Sequence, residues 1–384
     1  MPFFIDLLSG ARKPPESGAY GKLHFRSGGL RRPAQVSRIQ VAKWFSSIWF
    51  TFLICLSGCG RPHSRVVVYC AQDREFAEGI FDEFKQKTGL EVTPKYDIES
   101  EKSVGLALEI SREKDRPRCD VHWNNEILWT IRLQRQGLLE PYASLSAQAF
   151  PPFAKAKDNT WCAFAERARV LLVNTKLLPK EEDRPHSLLD LTDPRWKGRV
   201  VMAKPNFGTS ATQAACLFEV LGTEKAKQFY LGLKKNDVHI VPGNKQVADG
   251  VSEGQFAVGI TDTDDAIGEV DAGKPVAIIF PDRDAPKDSR MGTLFIPNTV
   301  AIIHGSPNQA GARKLVDFLL SPEVEAKLAQ AESHQIPMNP QVHAELPKEF
   351  VTRKEAKAMD VDFEKAADLW DEVQEFLRKE FART

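Results

Sequence analysis

Residues 66–89 read VVVYCAQDREFAEGIFDEFKQKTG. The first four form a continuous apolar run, which is typical of a buried strand. Apolar side chains from Phe76 to Phe84 then recur at helical spacing. Gly89 predicts the end of that helix, because glycine readily adopts the left-handed conformation of a helix C-cap. A strand that leads directly into an amphipathic helix is the building unit of α/β proteins.

The same unit recurs through the rest of the chain. Further strands are predicted at 92–96, 120–123, 170–173, 199–202, 238–241, 256–260 and 293–303. Further helices are predicted at 104–113, 127–133, from 208 onward, and at 225–233, 247–253, 264–272, 309–320 and 322–330. This alternation predicts an α/β fold with a largely parallel sheet.

The length of the chain predicts two lobes. About 325 residues follow the N-terminal segment, more than a single hydrophobic core usually supports. No Gly/Ser-rich or Pro-rich tether separates the two series of units, so crossing strands are expected to join the lobes. The predicted boundaries are 64–165 with 297–345 for lobe 1, 166–296 for lobe 2, and 350–384 for a C-terminal helical tail, amphipathic from Lys354 to Phe381.

Residues 1–58 are predicted to be a lipoprotein signal peptide. A basic segment precedes an apolar run from Ile48 to Leu56, and small residues at 57 and 58 come directly before Cys59. That order predicts cleavage before Cys59, lipidation of its thiol and a lipid anchor on a membrane of the cell envelope. The alternative is a membrane-spanning helix, but residues 44–56 fall short of the roughly 20 apolar residues that a bilayer requires.

Charge and cysteine content restrict the class of protein. Residues 1–58 hold 8 of the 52 Lys and Arg and 2 of the 52 Asp and Glu, so the remaining chain has a net charge of −6. Such a chain lacks the basic character of a nucleic-acid-binding protein. The four cysteines after Cys59 lie in apolar surroundings and are predicted to be buried free thiols, although four would also permit three disulfide pairings. They are Cys70, Cys119, Cys162 and Cys216.

Polar residues follow several predicted strands at the point where each strand ends. They are Asp73, Asp97, Glu99, Asn124, Asn125, Glu126, Asp262, Asp264 and Asp265. In open α/β sheets ligands bind beyond the carboxyl ends of the strands, so together these residues predict a ligand cleft. For any single carboxylate the alternative is a helix cap, which the helix macrodipole stabilises.

Two further features predict an anion site. Gly208, Thr209 and Ser210 open a helix whose unpaired N–H groups can bind an anion, with plain capping by the hydroxyls as the alternative. Arg167 and Arg169 alternate along a strand, so both point to one face, where either can hold a carboxylate or phosphate. The sequence contains no GxSxG, P-loop or HExxH motif, and enzyme activity is therefore not expected.

With these segments placed, the chain resembles the iron(III)-binding branch of the family 1 extracellular solute-binding proteins of ABC importers. The resemblance runs from Val66 to Val342. It is carried by VYCAQD at 68–73, by 84–92, DVHW at 120–123, 167–176, DPRWKG at 193–198 and QIPMNP at 335–340. It implies a periplasmic-binding-protein type II fold, in which two α/β lobes joined by crossing hinge strands close over a solute. It also implies a monomer with a permease and an ATPase as partners.

The resemblance implies a site as well. Ferric-binding relatives have a histidine at the position of Asp73, a glutamate at that of Asn125, next to Glu126, and adjacent tyrosines at those of Asp264 and Asp265. The metal ligands expected here are Asp73, Glu126, Asp264 and Asp265. Positions that bind an anion in relatives match Arg167 and 208–210. The expected cargo is ferric iron with a synergistic anion, and the alternatives are an organic phosphate, a phosphonate or a polyamine. From a different class, an envelope hydrolase would use paired carboxylates.

Overall fold

The computed structural model describes residues 64–97, 104–286 and 291–381. The predictions for the leader 1–58, for Cys59 and for Glu99 concern positions outside these ranges. Within them, no helix combines the length and the apolar character needed to cross a membrane.

Strands and helices alternate through most of the described chain. The strands are β1 Arg65–Cys70, β2 Glu91–Tyr96, β3 Val121–Asn124, β4 Leu139–Glu140, β5 Trp161–Asn174, β6 Val200–Ala203, β7 His239–Val241, β8 Val258–Asp262, β9 Val276–Ile279 and β10 Phe295–Ile303. The helices are α1 Arg74–Thr88, α2 Gly105–Arg112, α3 Leu128–Arg135, α4 Gly208–Leu221, α5 Thr223–Lys235, α6 Asn244–Ser252, α7 Thr263–Asp271, α8 Gln309–Leu319, α9 Pro322–Gln330, α10 Phe363–Asp368 and α11 Trp370–Phe381. The helix predicted from the opening segment therefore exists, and Gly89 caps it with a φ of 72°.

The strands form one sheet in the order β2-β1-β3-β10-β5-β8-β6-β7, with β4 beside β10 and β9 beside β5. The groups β1–β3 and β6–β8 are parallel, as the βα units predict. The crossing strands β5 and β10 run antiparallel to their neighbours, so the expectation of a largely parallel sheet is wrong at the centre. The lobe boundaries drawn from the sequence stay a prediction.

Strand β5 connects the two groups. Its first half pairs with β10, while residues 169–174 pair with β8 and β9. The sequence predicts this strand only at 170–173, because every residue of β5 is buried and no alternation marks where it begins. The register of β10 shifts between Pro297 and Asn298, opposite the middle of β5.

The first helix of the C-terminal tail begins later in the sequence than predicted. The amphipathic pattern predicts helix from Lys354, whereas the first helix of the tail, α10, begins at Phe363. The tail packs on α3 through Trp370 and Trp129, whose ring centroids are 5.7 Å apart, and on α4 through Phe376 and Phe218, also 5.7 Å apart. It thus contacts a helix from each group of βα units.

The four cysteines in the described ranges are buried and free, as predicted. Cys70 pairs in register with Trp123, so Cys119 lies four residues back toward the amino end of the neighbouring strand. At ~3.3 Å per residue this separation exceeds the reach of a disulfide. Burial raises the pKa of the Cys119 thiol well above its ordinary value, which keeps it protonated.

Candidate binding cleft

A cleft of about 900 Å³ lies where the strand groups face each other. Strands β6, β7 and β8 each lead into a helix that begins at this cleft, namely α4, α6 and α7. Asp73, the N-cap residue of α1, and Asn125, which follows β3, line it from the other group. The cleft therefore lies beyond the carboxyl ends of these strands, where the rule for open α/β sheets expects a ligand.

The cleft brings together most of the residues predicted from the sequence. Those that line it are Asp73, Asn125, Arg167, Gly208, Thr209, Ser210, Asp262, Asp264 and Asp265. Asp97 and Asn124 are not among the lining residues, and Asn124 is fully buried, with its amide donating to Glu126 and Thr130.

Glu126, expected to bind metal, is not brought into the cleft. Its carboxylate accepts from the backbone N–H groups of Leu128 and Trp129 at 2.6 and 2.9 Å, so it caps α3. It also accepts from the Thr212 hydroxyl of α4 at 2.9 Å. Burial raises the pKa of Glu126 despite these hydrogen bonds. The carboxylate is occupied by structural contacts, and the expectation of a ligand at this position does not fit the structure.

Three carboxylates cluster at the start of α7. Oxygen atoms of Asp262, Asp264 and Asp265 all lie within 4.8 Å of one another, a spacing that could hold a metal ion. Burial raises the pKa of Asp264, Arg167 opposes this effect and the neighbouring Asp262 adds to it. A bound cation would relieve this repulsion, since an opposite charge favours the ionised carboxylates.

Two arginines on β5 hold the acidic cluster. Arg167 donates from Nε to Asp264 at 3.0 Å and from Nη1 to the Asn125 carbonyl at 2.7 Å. It therefore connects the residue that follows β3 with the start of α7. Arg169 lies behind the cleft and donates to Asp262 at 2.8 Å. Both arginines reach the same helix start, as their alternation along the strand predicts.

The start of α4 provides the candidate anion loop. Gly208 has a φ of 54°, and the N-cap residue Phe207 makes no side-chain cap. The Thr209 hydroxyl points inward, where it donates to Asp262 at 2.5 Å and accepts from Asn244 at 3.0 Å. An anion at this loop would accordingly be bound by backbone N–H groups more than by the Thr209 hydroxyl.

Several cleft residues were missed from the sequence. They are Lys204, Asn244, Lys245, Glu269, Asp271 and His334. Lys204 and Asn244 follow β6 and β7 closely, so the strand-end rule could have identified them. Lys245 donates to Glu269 at 2.6 Å, and although burial opposes it, this contact together with Asp249 raises the lysine pKa.

The lining of the cleft is strongly acidic. Eight carboxylate side chains and three basic ones, Arg167, Lys204 and Lys245, line it, and Arg169 pairs with one of the acids from behind, so the ionised groups leave an excess of four negative charges. Such an excess attracts cations and repels polyanions. None of the tyrosines in the described ranges, at 69, 96, 142 and 230, lines this cleft. The geometry can thus hold a cation in oxygen ligands, with an anion beside it at the start of α4.

Comparison with known proteins agrees with this architecture. Residues 129–367 match the family described as bacterial extracellular solute-binding protein. The major ferric iron-binding protein of Neisseria meningitidis serogroup A is 26% identical over 308 residues, covering 76% of this chain and 86% of the relative.

Two solved structures have the same fold. Iron-bound HitA from Pseudomonas aeruginosa aligns with a TM-score of 0.73 at 23% identity, over 83% of this chain and 99% of HitA. AfuA from Actinobacillus pleuropneumoniae, a periplasmic binding protein with fructose-6-phosphate bound, aligns with a TM-score of 0.72 at 25% identity, over 83% and 99%. The fold is therefore the type II periplasmic-binding-protein fold, as the sequence predicts. The chain belongs to the bacterial extracellular solute-binding proteins.

Proposed function

We propose that this chain is the solute-binding component of an ABC importer and that its cargo is ferric iron held together with an anion. The chain would act as a monomer in the periplasm or cell envelope, anchored by lipid at Cys59, and would deliver its cargo to a permease driven by an ATPase. The ferric iron-binding relative and the iron-bound HitA structure support the choice of cargo.

The observation that carries the proposal is the acidic cluster in an acidic cleft. Ferric iron is a hard cation that prefers oxygen ligands, and Asp264 and Asp265 can supply them from a cluster of three carboxylates that lie within 4.8 Å of one another. The excess of negative charge in the lining favours a cation of high charge over an anionic solute. Asp73 lines the same cleft from the other group of strands and would add a further carboxylate oxygen if the cleft closed over the metal.

The companion anion fits beside the metal. The α4 helix presents uncapped backbone N–H groups at Gly208, and Arg167 supplies a cationic side chain in the same cleft. An anion there would offer the iron further oxygen ligands while it satisfies the helix start.

Thermal unfolding of metal-stripped protein with ferric citrate tests the proposal. Ligand that binds only the folded state adds about 2.7 kcal/mol of stability at a hundredfold excess over Kd. The variant Asp264→Asn/Asp265→Asn should lose this shift, because it removes two of the clustered carboxylates. The control Glu182→Gln/Asp183→Asn removes two adjacent exposed carboxylates away from the cleft and should keep it. An unchanged shift in the cleft variant would refute the proposed metal site.

The absence of tyrosine from the lining gives a second readout. Phenolate ligands give ferric iron a strong visible charge-transfer absorption, and carboxylate ligands do not. The iron complex of this protein should therefore lack that band. A ferric complex with a phenolate band would mean that a tyrosine reaches the metal and that the carboxylate set is wrong.

An organic phosphate is the second candidate. Arg167 and the start of α4 together form an anion subsite, and AfuA binds fructose-6-phosphate in the same fold. A panel of a sugar phosphate, an aminophosphonate and a polyamine, each tested by thermal shift without iron, separates the candidates. A shift with the phosphate compounds alone would favour the second candidate. Mass spectrometry of the recovered ligands would reveal products if the cleft belonged to a hydrolase.

A further inference from the structure

A buried ion pair lies at the wall of the cleft, with Asp262 among the lining residues and Arg169 behind it. Arg169 donates from Nη1 to Asp262 Oδ1 at 2.8 Å, and the two side chains are only 1% and 5% exposed. Burying two charges is costly unless each is fully paired, and losing either partner then leaves an uncompensated charge. The hydrogen-bond partners around this pair therefore determine its role in the structure.

The Arg169 guanidinium joins three helix starts. Besides Asp262, which precedes α7, it donates to Asn244 Oδ1 at the start of α6 at 3.0 Å. It contacts the start of α4 through the Thr209 and Ser210 hydroxyls at 3.3 and 3.4 Å, and Nε donates to Gln213 Oε1 at 3.0 Å. One buried side chain on β5 thus connects the beginnings of all three helices that open into the cleft from this lobe.

The Asp262 carboxylate is occupied on both oxygens. Oδ1 accepts from Arg169, while Oδ2 accepts from the Thr209 hydroxyl at 2.5 Å and from Asn244 Nδ2 at 2.9 Å. A carboxylate has about four lone-pair sites, so three are already used by groups held in place around it. Coordinating a metal would require Asp262 to give up part of this network.

We infer that Arg169 and Asp262 are a positioning pair, which fixes the helix starts around the cargo without contacting the cargo itself. This inference rests on the proposed function. Asp262 belongs to the spatial cluster of three aspartates, but Arg169 neutralises it. The pair fixes the position of the α4 loop relative to Asp264 and Asp265. The carboxylates that face the cation are then those of Asp264 and Asp265.

A double-mutant cycle separates positioning from ligation. Asp262→Asn leaves the Arg169 charge unpaired beneath the cluster, and it should weaken ferric iron binding about tenfold or more. Arg169→Gln leaves the Asp262 charge unpaired and releases the helix starts. In the double variant both substituted side chains are neutral amides, so no unpaired charge remains and iron binding should recover severalfold relative to Asp262→Asn, although the branched donors of Arg169 are gone.

The readouts are the dissociation constant for iron, by citrate competition, and the Tm of the iron-free protein. Recovery of both in the double variant supports the positioning pair. If the double variant binds iron as weakly as Asp262→Asn, then Asp262 is a direct ligand and the inference fails. If the effects of the two single variants on the Tm simply add, the residues do not act as a pair, and the inference fails as well.

Two further measurements keep the test independent of folding and of the cargo. Arg169→Lys retains the charge but loses the branched set of donors, so it replaces a single variant that does not fold. It should increase amide hydrogen exchange at 208–210 and 244–247 in the iron-free protein, and unchanged exchange would contradict the positioning role. If the wild type does not bind iron, the proposed cargo is wrong. The Tm values of the two single variants and the double variant, together with hydrogen exchange, then test the positioning pair without iron.

Discussion

The buried carboxylate of Glu166 should make the protein less stable as the pH rises from about 4.5 to 7. Glu166 lies in β5 opposite the register shift of β10, and its side chain is 3% exposed. Burial raises its pKa from 4.5 to about 7, although the Arg353 guanidinium at 2.6 Å opposes the shift, while Glu325 adds to it. The native state therefore keeps a proton that the unfolded chain releases.

The sign and size follow from proton linkage. Below pH 4.5 both states are protonated, so the stabilisation is fully present. Between pH 4.5 and about 7 the native state binds one more proton than the unfolded chain. The free energy of unfolding then falls by about 1.4 kcal/mol per pH unit, which amounts to about 3 kcal/mol over the window.

Chemical denaturation at pH 5, 6, 7 and 8 measures the effect. Glu166→Gln cannot ionise, so the wild type should lose stability relative to this variant as the pH rises to about 7, and the difference should then level off. Glu364→Gln removes an exposed carboxylate that pairs with Arg135 and should run parallel to the wild type. The other buried acids titrate equally in both proteins, so any difference in the pH dependence of the free energy of unfolding comes from Glu166. If that pH dependence is the same in the wild type and Glu166→Gln, the reasoning is wrong.

The partner residue provides an independent check of the cause. Arg353→Met removes the charge that opposes the shift but keeps an apolar side chain near Phe153 and Phe295, whose rings the guanidinium covers at 5.0 and 5.1 Å. The Glu166 pKa should rise further, so the loss of stability should continue above pH 7. An unchanged window would mean that Arg353 does not set the pKa of Glu166.

Two further predictions concern the tail and the leader. Trp370→Ala should lower the free energy of unfolding by about 3–5 kcal/mol, because Trp370 packs against Trp129 and is only 4% exposed. Chemical denaturation measures the change, and Leu145→Ala is the control. Leu145 is exposed, so its removal should change the free energy of unfolding by less than about 0.5 kcal/mol. Cys59→Ala should abolish incorporation of labelled palmitate and either release the protein from the membrane or leave it there with its signal peptide attached. Labelling that persists in that variant would exclude the predicted lipidation site.

The sequence predicts those parts of the fold that local pattern encodes. The unit from β1 to α1 is recognisable because an apolar run, a helical stripe and Gly89 follow one another within 24 residues. Strand β5 is recognised only in part, since Trp161 to Glu166 is buried on both faces and carries no alternation. Its antiparallel pairing with β10 joins residues more than 120 positions apart, which no local pattern encodes.

The candidate site, too, is predicted only as far as local sequence pattern encodes it. The strand-end rule indicates Asp73 and the three aspartates near α7, and the structure places them in one cleft, because chain direction alone puts them at one edge. It cannot distinguish Glu126, which caps α3, from a ligand, since both roles require a carboxylate near a helix start. Nor can it separate Arg167 in the cleft from Arg169 beneath it, because both alternate to the same face and differ only in what packs over them.

The aspartates and an incoming anion both interact with the positively charged helix starts, which explains why a cation and an anion would bind this cleft together. The starts of α4, α6 and α7 each carry a partial positive charge, which the aspartates near α7 partly neutralise. An anion that arrives alone must approach those carboxylates and meets the negative excess of the lining. A cation between the carboxylates removes this repulsion and leaves the start of α4 available to the anion. The two ligands would therefore strengthen each other by the same factor, because the coupling free energy between two binding sites is reciprocal.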